Sequence, residues 1–536
     1  MTEPLDMMII GAGFAGMYLL HRLRAAGFAV KAVEAAPEVG GTWYHNRYPG
    51  LRCDVESLEY QYSWSDDLRH GWRWSERFSA QPEIMRYAQW VADRLDLRRD
   101  ILFNARVVAA IWDEAAQVWH ATTEAGATLT ARNVVFATGA LAVPRMPNIP
   151  GLESYSGRLI HTADWPKDAV DLAGQRVGLI GTGSSGLQVA TALAGKAGRL
   201  QVFQRSPAYS IPAQNRALTA ADYDAFEGNL AKFDSLAMAH RGGIATPLPT
   251  SGAQQVGAAE LEAELSARWQ HGGAFTFLSS FNDIQTDPAS NRLVADFVRA
   301  RIRETVKDPE TAEMLVPTYP FATRRTCVDT GYYQIFNRGD VDLVDVSDDP
   351  IAAFTEIGLR LASGADYSLD TIILATGYDA MTGAFLAVDV TGRNGLTNRR
   401  AWAEGPVNLL GLMIAGFPNL FTVTGPGSPS VLTNVIRSIE YHVDWLTRCF
   451  TDLRAQGVGV IEATPQAQAD WVAHVNEVAN RTLFTKTPSW YCGADIPGKP
   501  KVFMPYAGGL PAYRDKAEAM ARAGYAGFAL TGEGGR

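Results

Sequence analysis

The chain has 536 residues, 47% of them hydrophobic and 20% charged, with 48 Lys and Arg against 57 Asp and Glu for a formal net charge of −9. This is the balance of a globular protein with a sizeable core, roughly three or four domain-sized units long, and its sign disfavours nucleic acid and anionic lipid as partners. The four cysteines, Cys53, Cys327, Cys449 and Cys492, form neither a Cys-x-x-Cys pair nor a zinc spacing, which argues against a disulfide or metal framework and fits a reducing cytoplasm.

The start, MTEPLDMMII, carries acids where a signal peptide needs basic residues, and no apolar run is long enough to cross a bilayer. A cytoplasmic protein without membrane insertion and without an obligate protein partner is expected. Short apolar runs follow at 7–10, 30–33, 134–137, 177–180, 200–203, 372–375 and 420–423. Each ends in small residues, as strands of parallel sheets buried on both faces do. Amphipathic stretches between several of them point to βαβ units.

The first run leads into Gly11, Gly13 and Gly16 of MMIIGAGFAG, then into a helical pattern, and Glu34 closes the next strand. Gly11 suits a tight turn, Gly13 a close approach of backbone to pyrophosphate, and Gly16 close helix packing. Glu34 can accept both ribose hydroxyls, and the helix N-terminus attracts the phosphates. NAD and FAD both use such a unit. The stretch GGTWYHNRYPGLRCDVESLEY (40–60) is rich in aromatic and small residues, which suits stacking around a flat ring system and favours FAD.

Next comes YSGRLIHTADWP (155–166), with Gly157, His161 and Trp165 at set intervals. A second strand–loop–helix unit, RVGLIGTGSSGLQ, then carries Gly181, Gly183 and Gly186. Its following strand ends not in an acid but in Arg205 and Ser206. A guanidinium pairs with the 2′-phosphate of NADP, which a carboxylate would repel. NADPH is therefore expected here.

Between about 215 and 320 the pattern turns helical. Thr219 with Asp222 resembles a capping box, and Tyr223, Phe226, Leu230 and Phe233 follow at helical spacing. SNRLVADFVRARIRETVKD (290–308) reads as another helix, and the tail TGEGGR as frayed. The fold class is α/β: two Rossmann-like dinucleotide-binding domains with a mostly helical insertion. The FAD-binding domain is expected at 1–140 and 376–536, the NADP-binding domain at 141–214 and 325–375, and the insertion at 215–324.

Residues 155–166 resemble the fingerprint F-x-G-x-x-x-H-x-x-x-W-P/D of the type I Baeyer–Villiger monooxygenases, with Tyr155 in place of Phe. The blocks GTWYHNRYPGLRCDVES, GTGSSG, VFQRS, DTGYYQIFNR, LATGYDA, GPGSP and LFTKTPSWYCGADIPGK follow the order of the same family over nearly the whole chain. The resemblance implies oxygen insertion beside a ketone carbonyl to give an ester or lactone, using O2, NADPH and a flavin C4a-peroxide. It implies Arg325 as the active-site cation that keeps the peroxide anionic and Asp54 as the carboxylate that orients it. Thr326 stands where some members have Pro.

The resemblance further implies FAD contacts at Gly11, Gly13, Phe14, Ala15, Gly16, Glu34, Thr42, Trp43, Tyr44, Asp54, Tyr60, Val107 and Val435. It implies NADP contacts at Arg52, Gly181, Thr182, Gly183, Ser184, Ser185, Gly186, Gln188, Arg205, Ser206, Arg324 and Trp490. Gly157, His161 and Trp165 serve domain linkage in this reading, with His161 supporting movement rather than acting on substrate. Ser430, Val431, Leu432 and Thr433 are implied substrate contacts, in a loop like those of members acting on aryl, bulky or steroid-like ketones; no metal is implied. An N- or S-oxygenating flavin monooxygenase shares both glycine loops but not the Asp54–Arg325 pair or the block around Trp490. A catalytically silent dinucleotide-binding protein is the remaining alternative.

Overall fold

In the computed structural model, residues 3–532 are described. The strand Leu5–Ile10 shows why the first sheet forms. Met7 and Ile9 pack into one core and Met8 and Ile10 into another, across the sheet. A side chain of this size gains about 1.5–3 kcal/mol on full burial, against about 1 kcal/mol net for a backbone hydrogen bond, so burial on both faces dominates.

This sheet has eight strands. Its order is Asp389–Thr391, Val107–Asp113, Val118–Thr123, Thr128–Phe136, Leu5–Ile10, Val30–Val33 and Ile101–Leu102, with Leu420–Thr422 also on Thr128–Phe136. The pairs made by Leu5–Ile10 are parallel, whereas Val107–Asp113, Val118–Thr123 and Thr128–Phe136 form an antiparallel meander. Thr128–Phe136 begins earlier than the apolar run at 134–137 indicates, because its first half pairs with the meander. Helix Phe14–Ala25 covers one face and packs on helix Val435–Ala455.

The second sheet is wholly parallel, in the order Val341–Asp345, Arg199–Gln204, Arg176–Ile180, Thr371–Leu374 and Arg158–His161. Helix Ser184–Leu193 connects Arg176–Ile180 to Arg199–Gln204. The antiparallel strands Ile351–Thr355, Gly358–Leu361 and Asp366–Ser368 lie beside it. The chain runs between the two sheets twice, and the two crossings pair with each other. The Arg145 amide donates to Gly377 O (2.9 Å), that of Asp379 to Val143 O (2.9 Å) and that of Met381 to Ala140 O (2.9 Å).

The helical region is pinched off where Ser210–Pro212 pairs with Cys327–Asp329. Its capping box forms: the Thr219 amide donates to Asp222 Oδ2 (2.8 Å) and the Asp222 amide to Thr219 Oγ1 (3.4 Å). The spacing of Tyr223, Phe226, Leu230 and Phe233 predicts one helix, but the structure has two, Ala220–Glu227 and Leu230–Ala239. Gly228 and Asn229 break it, for glycine and asparagine are poor helix-interior residues. The helix expected over 290–308 is Pro288–Thr305, opened by Asp287, whose side chain accepts from the Ala289 and Ser290 amides. The tail is a correction. Thr531 and Gly532 belong to strand Phe528–Gly532, paired with Val458–Ala463, so the frayed reading fails there; residues 533–536 lie outside those described. Among the described residues no helix is long and apolar enough to cross a membrane.

Candidate active site

In the first glycine loop Gly11 has φ of +105°, and a Cβ there would meet Ala137 O at 2.7 Å. A Cβ on Gly16 would stand 1.9 Å from Gly11 O, so only glycine lets the helix begin against its own turn. Glu34 is buried. Its Oε2 accepts the Ala12 amide (2.7 Å) and its Oε1 the Ala36 amide (2.8 Å), and each oxygen retains a second lone pair. Trp43 Nε1 donates to Tyr60 Oη (3.1 Å) with the two rings edge to face.

The second loop repeats the geometry. Gly181 has φ of +108°, and a Cβ on Gly186 would lie 1.9 Å from Gly181 O. A Cβ on Gly183 would meet nothing within 4 Å, so the backbone there is open to a ligand. Thr182 Oγ1 donates to Ser206 O (2.9 Å). Ser185 Oγ donates to Tyr48 Oη, which donates to Gln188 Oε1 (both 3.1 Å), and Gln188 Nε2 donates to Arg52 O (3.1 Å). These bonds tie the second unit to the aromatic stretch after the first. Arg205 is exposed and makes no hydrogen bond or ion pair among the described residues. Arg52 instead turns its Nη1 to Glu76 and to Phe78 O (2.8 Å).

Both loops open into one cavity of about 1380 Å³. It exceeds the roughly 300–1,000 Å³ of an ordinary small-molecule pocket. Its walls include Gly11, Gly13, Phe14, Ala15, Glu34, Thr42, Trp43, Tyr60, Val107 and Val435 from the first unit. Arg52, Gly181, Thr182, Gly183, Ser184, Ser185, Gln188, Arg205, Ser206, Arg324 and Trp490 line it on the other side. Gly16 and Gly186 do not line it; they pack within their loops. Tyr44 also falls outside the lining, with Arg47 over its ring at 5.1 Å.

Arg325 and Asp54 lie in the same wall. Arg325 Nε (2.9 Å) and Nη2 (2.5 Å) both donate to Asp54 Oδ2, and Nη1 donates to Val431 O (2.5 Å). The guanidinium also faces the Phe275 ring at 5.7 Å. Burial, the largest single influence, lowers the Arg325 pKa, but the Asp54 charge and hydrogen bond, together with Tyr491 and Cys53, outweigh it and the net direction is upward. The group is a permanent cation. The neighbouring Arg324 points elsewhere, with Nε donating to Pro488 O (3.1 Å) and its guanidinium over Tyr319 at 4.5 Å. Ser430, Val431 and Thr433 line the cavity, but Leu432 does not; it packs with Phe484, Tyr491 and Phe503. The 3₁₀ turn Ser430–Leu432 directs successive side chains differently, which a four-residue segment of sequence does not reveal.

Gly157, His161 and Trp165 lie apart from the cavity lining. A Cβ on Gly157 would clash with Tyr155 Oη at 2.2 Å and approach Asp370 O at 2.8 Å. His161 Nδ1 accepts the Ala163 amide (3.1 Å), so Nε2 carries the proton and donates to Arg145 O (3.3 Å), with Thr376 Oγ1 at 3.2 Å. Arg145 belongs to the first crossing and Thr376 to the second. Burial lowers the His161 pKa, in keeping with a neutral ring. Trp165 is buried in the main core.

Sequence reasoning passed over Tyr491, whose ring centroid is 4.3 Å from that of Trp490, and Asp379, Lys499 and Arg145. Nothing in their spacing sets them apart; only the folded crossings bring them together.

Residues 5–229 match the family model described as pyridine nucleotide-disulphide oxidoreductase. All four cysteines are free, so the match rests on the dinucleotide fold rather than on a redox pair. A Baeyer–Villiger monooxygenase of Pseudooceanicola batsensis is 41% identical over 530 residues, 97% of this chain and 95% of that protein. The chain belongs to the Baeyer–Villiger monooxygenases. A phenazine N-monooxygenase of Lysobacter antibioticus is 39% identical, covering 98% of this chain and 97% of its own. Among solved structures, the OTEMO complex with FAD and NADP superposes with a TM-score of 0.94 at 36% identity, covering 98% of this chain and 99% of that one. This Baeyer–Villiger monooxygenase uses FAD and NADP and inserts one oxygen atom from O2 next to a ketone carbonyl. The two glycine turns, which both line the shared cavity, and the size of that cavity fit both dinucleotides.

Proposed function

We propose that ester or lactone formation takes place where the two glycine-loop units meet, with Arg325 as its electrostatic centre and Asp54 as the residue that orients it. The bidentate contact of Arg325 with Asp54 Oδ2 carries this reading. When bound, FAD accepts a hydride from NADPH and supplies the activation of O2. Glu34 and the first loop would hold the FAD ribose and pyrophosphate. Arg205, Ser206 and Arg324 would hold the 2′-phosphate of NADP, and Trp490 its nicotinamide side.

Insertion into a ketone requires a nucleophilic, negatively charged oxygen. A fixed cation in a partly buried site stabilises that charge without reorganising during the step. Arg325 suits the task because its charge does not depend on pH. Asp54 and Val431 O hold three of its five N–H donors, which leaves donors for the reacting atoms. Ser430, Val431 and Thr433 would border the ketone. The domain limits are 1–140 with 376–536 for FAD, 141–214 with 325–375 for NADP, and 215–324 for the insertion. The same reading makes the enzyme cytoplasmic, with a ketone and O2 as partners and no obligate protein partner.

The phenazine N-monooxygenase among the relatives keeps a second reading in view: oxygen transfer to a nitrogen substrate. One assay separates the two. The purified FAD-loaded enzyme is given NADPH, ¹⁸O2 and either cyclic, aryl and linear ketones or aromatic N-heterocycles. The proposal requires NADPH consumption coupled to esters or lactones carrying one ¹⁸O. N-oxides as the main product, with no ester from any ketone, would replace it with the second reading.

A further inference from the structure

Between Thr487 and Gly509 the only regular element is the single turn Trp490–Cys492, yet most of the stretch is buried or half-buried. So long an irregular segment needs its own fastenings, and such segments are usually functional. Two are expected of any core: Thr323 Oγ1 donates to Thr487 Oγ1 (2.7 Å), and the Met504 amide to Tyr491 O (2.9 Å). Two others are ionic and go to the crossings. Lys499 Nζ donates to Asp379 Oδ1 (2.5 Å) and Ala380 O (2.8 Å), with the Lys499 side chain only 11% exposed. Arg145 Nη1 reaches Asp495 Oδ2 at 3.4 Å.

Each crossing thus holds one end of a bridge. Asp379 donates its amide to Val143 O, and Arg145 O accepts from His161 and Thr376. Trp490 packs on Ala140, Ala380 and Met381, the same two crossings, and Pro488 O accepts from Arg324. The position of Trp490 and Pro488 at the cavity wall is therefore set by what fixes the segment to the crossings.

We propose that Lys499 and Asp379 are a positioning pair for the nicotinamide dinucleotide phosphate: their partly buried contact holds the 487–509 segment on the second crossing, itself paired with the first, and so places Trp490 and Arg324 at that ligand. This rests on the assignment of Trp490 and Arg324 to the NADP side and extends it to two residues that do not touch the ligand. Arg145–Asp495 is the weaker fastening, because its contact is longer and its cation less buried than Lys499.

The test uses FAD-loaded enzyme carrying Asp379→Asn, Lys499→Gln, both together, or the exchanged pair Asp379→Lys with Lys499→Asp. NADP⁺ binding is measured in the absence of ketone, so the outcome does not depend on the role of Arg325. Trypsin cleavage after the exposed Lys501 reports on the segment itself. Each single variant should weaken NADP⁺ binding about threefold to tenfold while FAD stays bound, because one partner of a partly buried, hydrogen-bonded ion pair is lost. Cleavage after Lys501 should quicken in the same variants. The double variant should weaken binding by less than the product of the single effects, since it strands no charge, and the exchanged pair should recover part of the loss. A general loss of structure would release FAD in proportion and would not be relieved by exchange. If a single variant cannot be purified with FAD, the double variant decides and must weaken binding at least about threefold. Unchanged NADP⁺ affinity with unchanged cleavage would overturn the proposal and leave the Arg325 assignment standing.

Discussion

The two glycine-loop units share one backbone design and end in opposite chemistry. The first closes on Glu34, a buried carboxylate already satisfied by the amides of Ala12 and Ala36. The second closes on Arg205, exposed and without a partner among the described residues. An unpartnered carboxylate could not have been buried cheaply, so the first site is built around it before any ligand arrives. An arginine can wait in water for its phosphate. On the proposed assignment the FAD side would be a preformed part of the core, whereas the NADP side would draw its charge recognition from a surface that the ligand completes.

The largest expected effect tests whether the two units are independent. Gly16→Val and Gly186→Val each place a side chain 1.9 Å from a backbone oxygen, well beyond what repacking of about 1–3 kcal/mol covers. Gly16→Val should purify without flavin. Gly186→Val should stay yellow and lose NADP⁺ binding. Loss of flavin in both would mean that the units fold as one.

A smaller effect is expected at Arg205. Losing a charged hydrogen bond costs about 1.5–3 kcal/mol, or tenfold to over a hundredfold in binding. Arg205→Ala should raise KM for NADPH by that factor and leave NADH almost unchanged. An equal loss with both cofactors would remove the 2′-phosphate from the argument.

Smaller again is the effect at Val431, which faces the shared cavity and whose carbonyl, kept in any substitution, accepts Arg325 Nη1. Removing methyl groups from a pocket changes discrimination by about 1–3 kcal/mol. Val431→Ala should reorder a panel of cyclic, aryl and linear ketones without altering flavin reduction by NADPH. Leu432→Ala, which truncates a side chain packed away from the cavity, should leave the order alone.

The smallest effect concerns the crossings. His161 is neutral and its pKa is lowered by burial. A lowered base contributes stability that is complete above its unfolded pKa, about 6.5, and is lost as pH falls through the folded value. Thermal melts between pH 7.5 and 5 should show a loss of Tm in the wild type that His161→Gln partly abolishes. Parallel curves would assign the acid sensitivity elsewhere.

Much of this contrast is legible in the sequence. The seven apolar runs are all strands or strand ends, because parallel strands buried on both faces leave an unbroken apolar signal. Both glycine loops, Glu34 and Arg205 stand where their spacing puts them. The antiparallel elements were not legible to the same degree. The turn from Val107–Asp113 into Val118–Thr123 uses Gln117 at φ of +53°, a left-handed position without the glycine that marks such turns. Gly126, at φ of +83° before Thr128–Phe136, is a turn signal that could have been read. At the site, Arg325 and Asp54 were identified by resemblance to a family's blocks, since 271 residues separate them and no spacing rule joins them. Which of Arg324 and Arg325 turns to Asp54 is visible only once Pro488 is seen accepting from the other.

The central claim is that Arg325, held by Asp54, serves oxygen insertion and neither folding nor FAD binding. The most direct measurement is the ester formed per NADPH consumed by Arg325→Ala, with flavin content and the rate of flavin reduction recorded on the same preparation. Loss of a preorganised electrostatic contact typically lowers the rate of the step it serves by about a hundred- to a thousandfold. The variant should be yellow, should still be reduced by NADPH, and should yield almost no ester, its electrons leaving as hydrogen peroxide. Arg325→Lys should recover little, because a point charge does not reproduce a planar fork. Ester formation by the Ala variant at the wild-type rate would contradict the account.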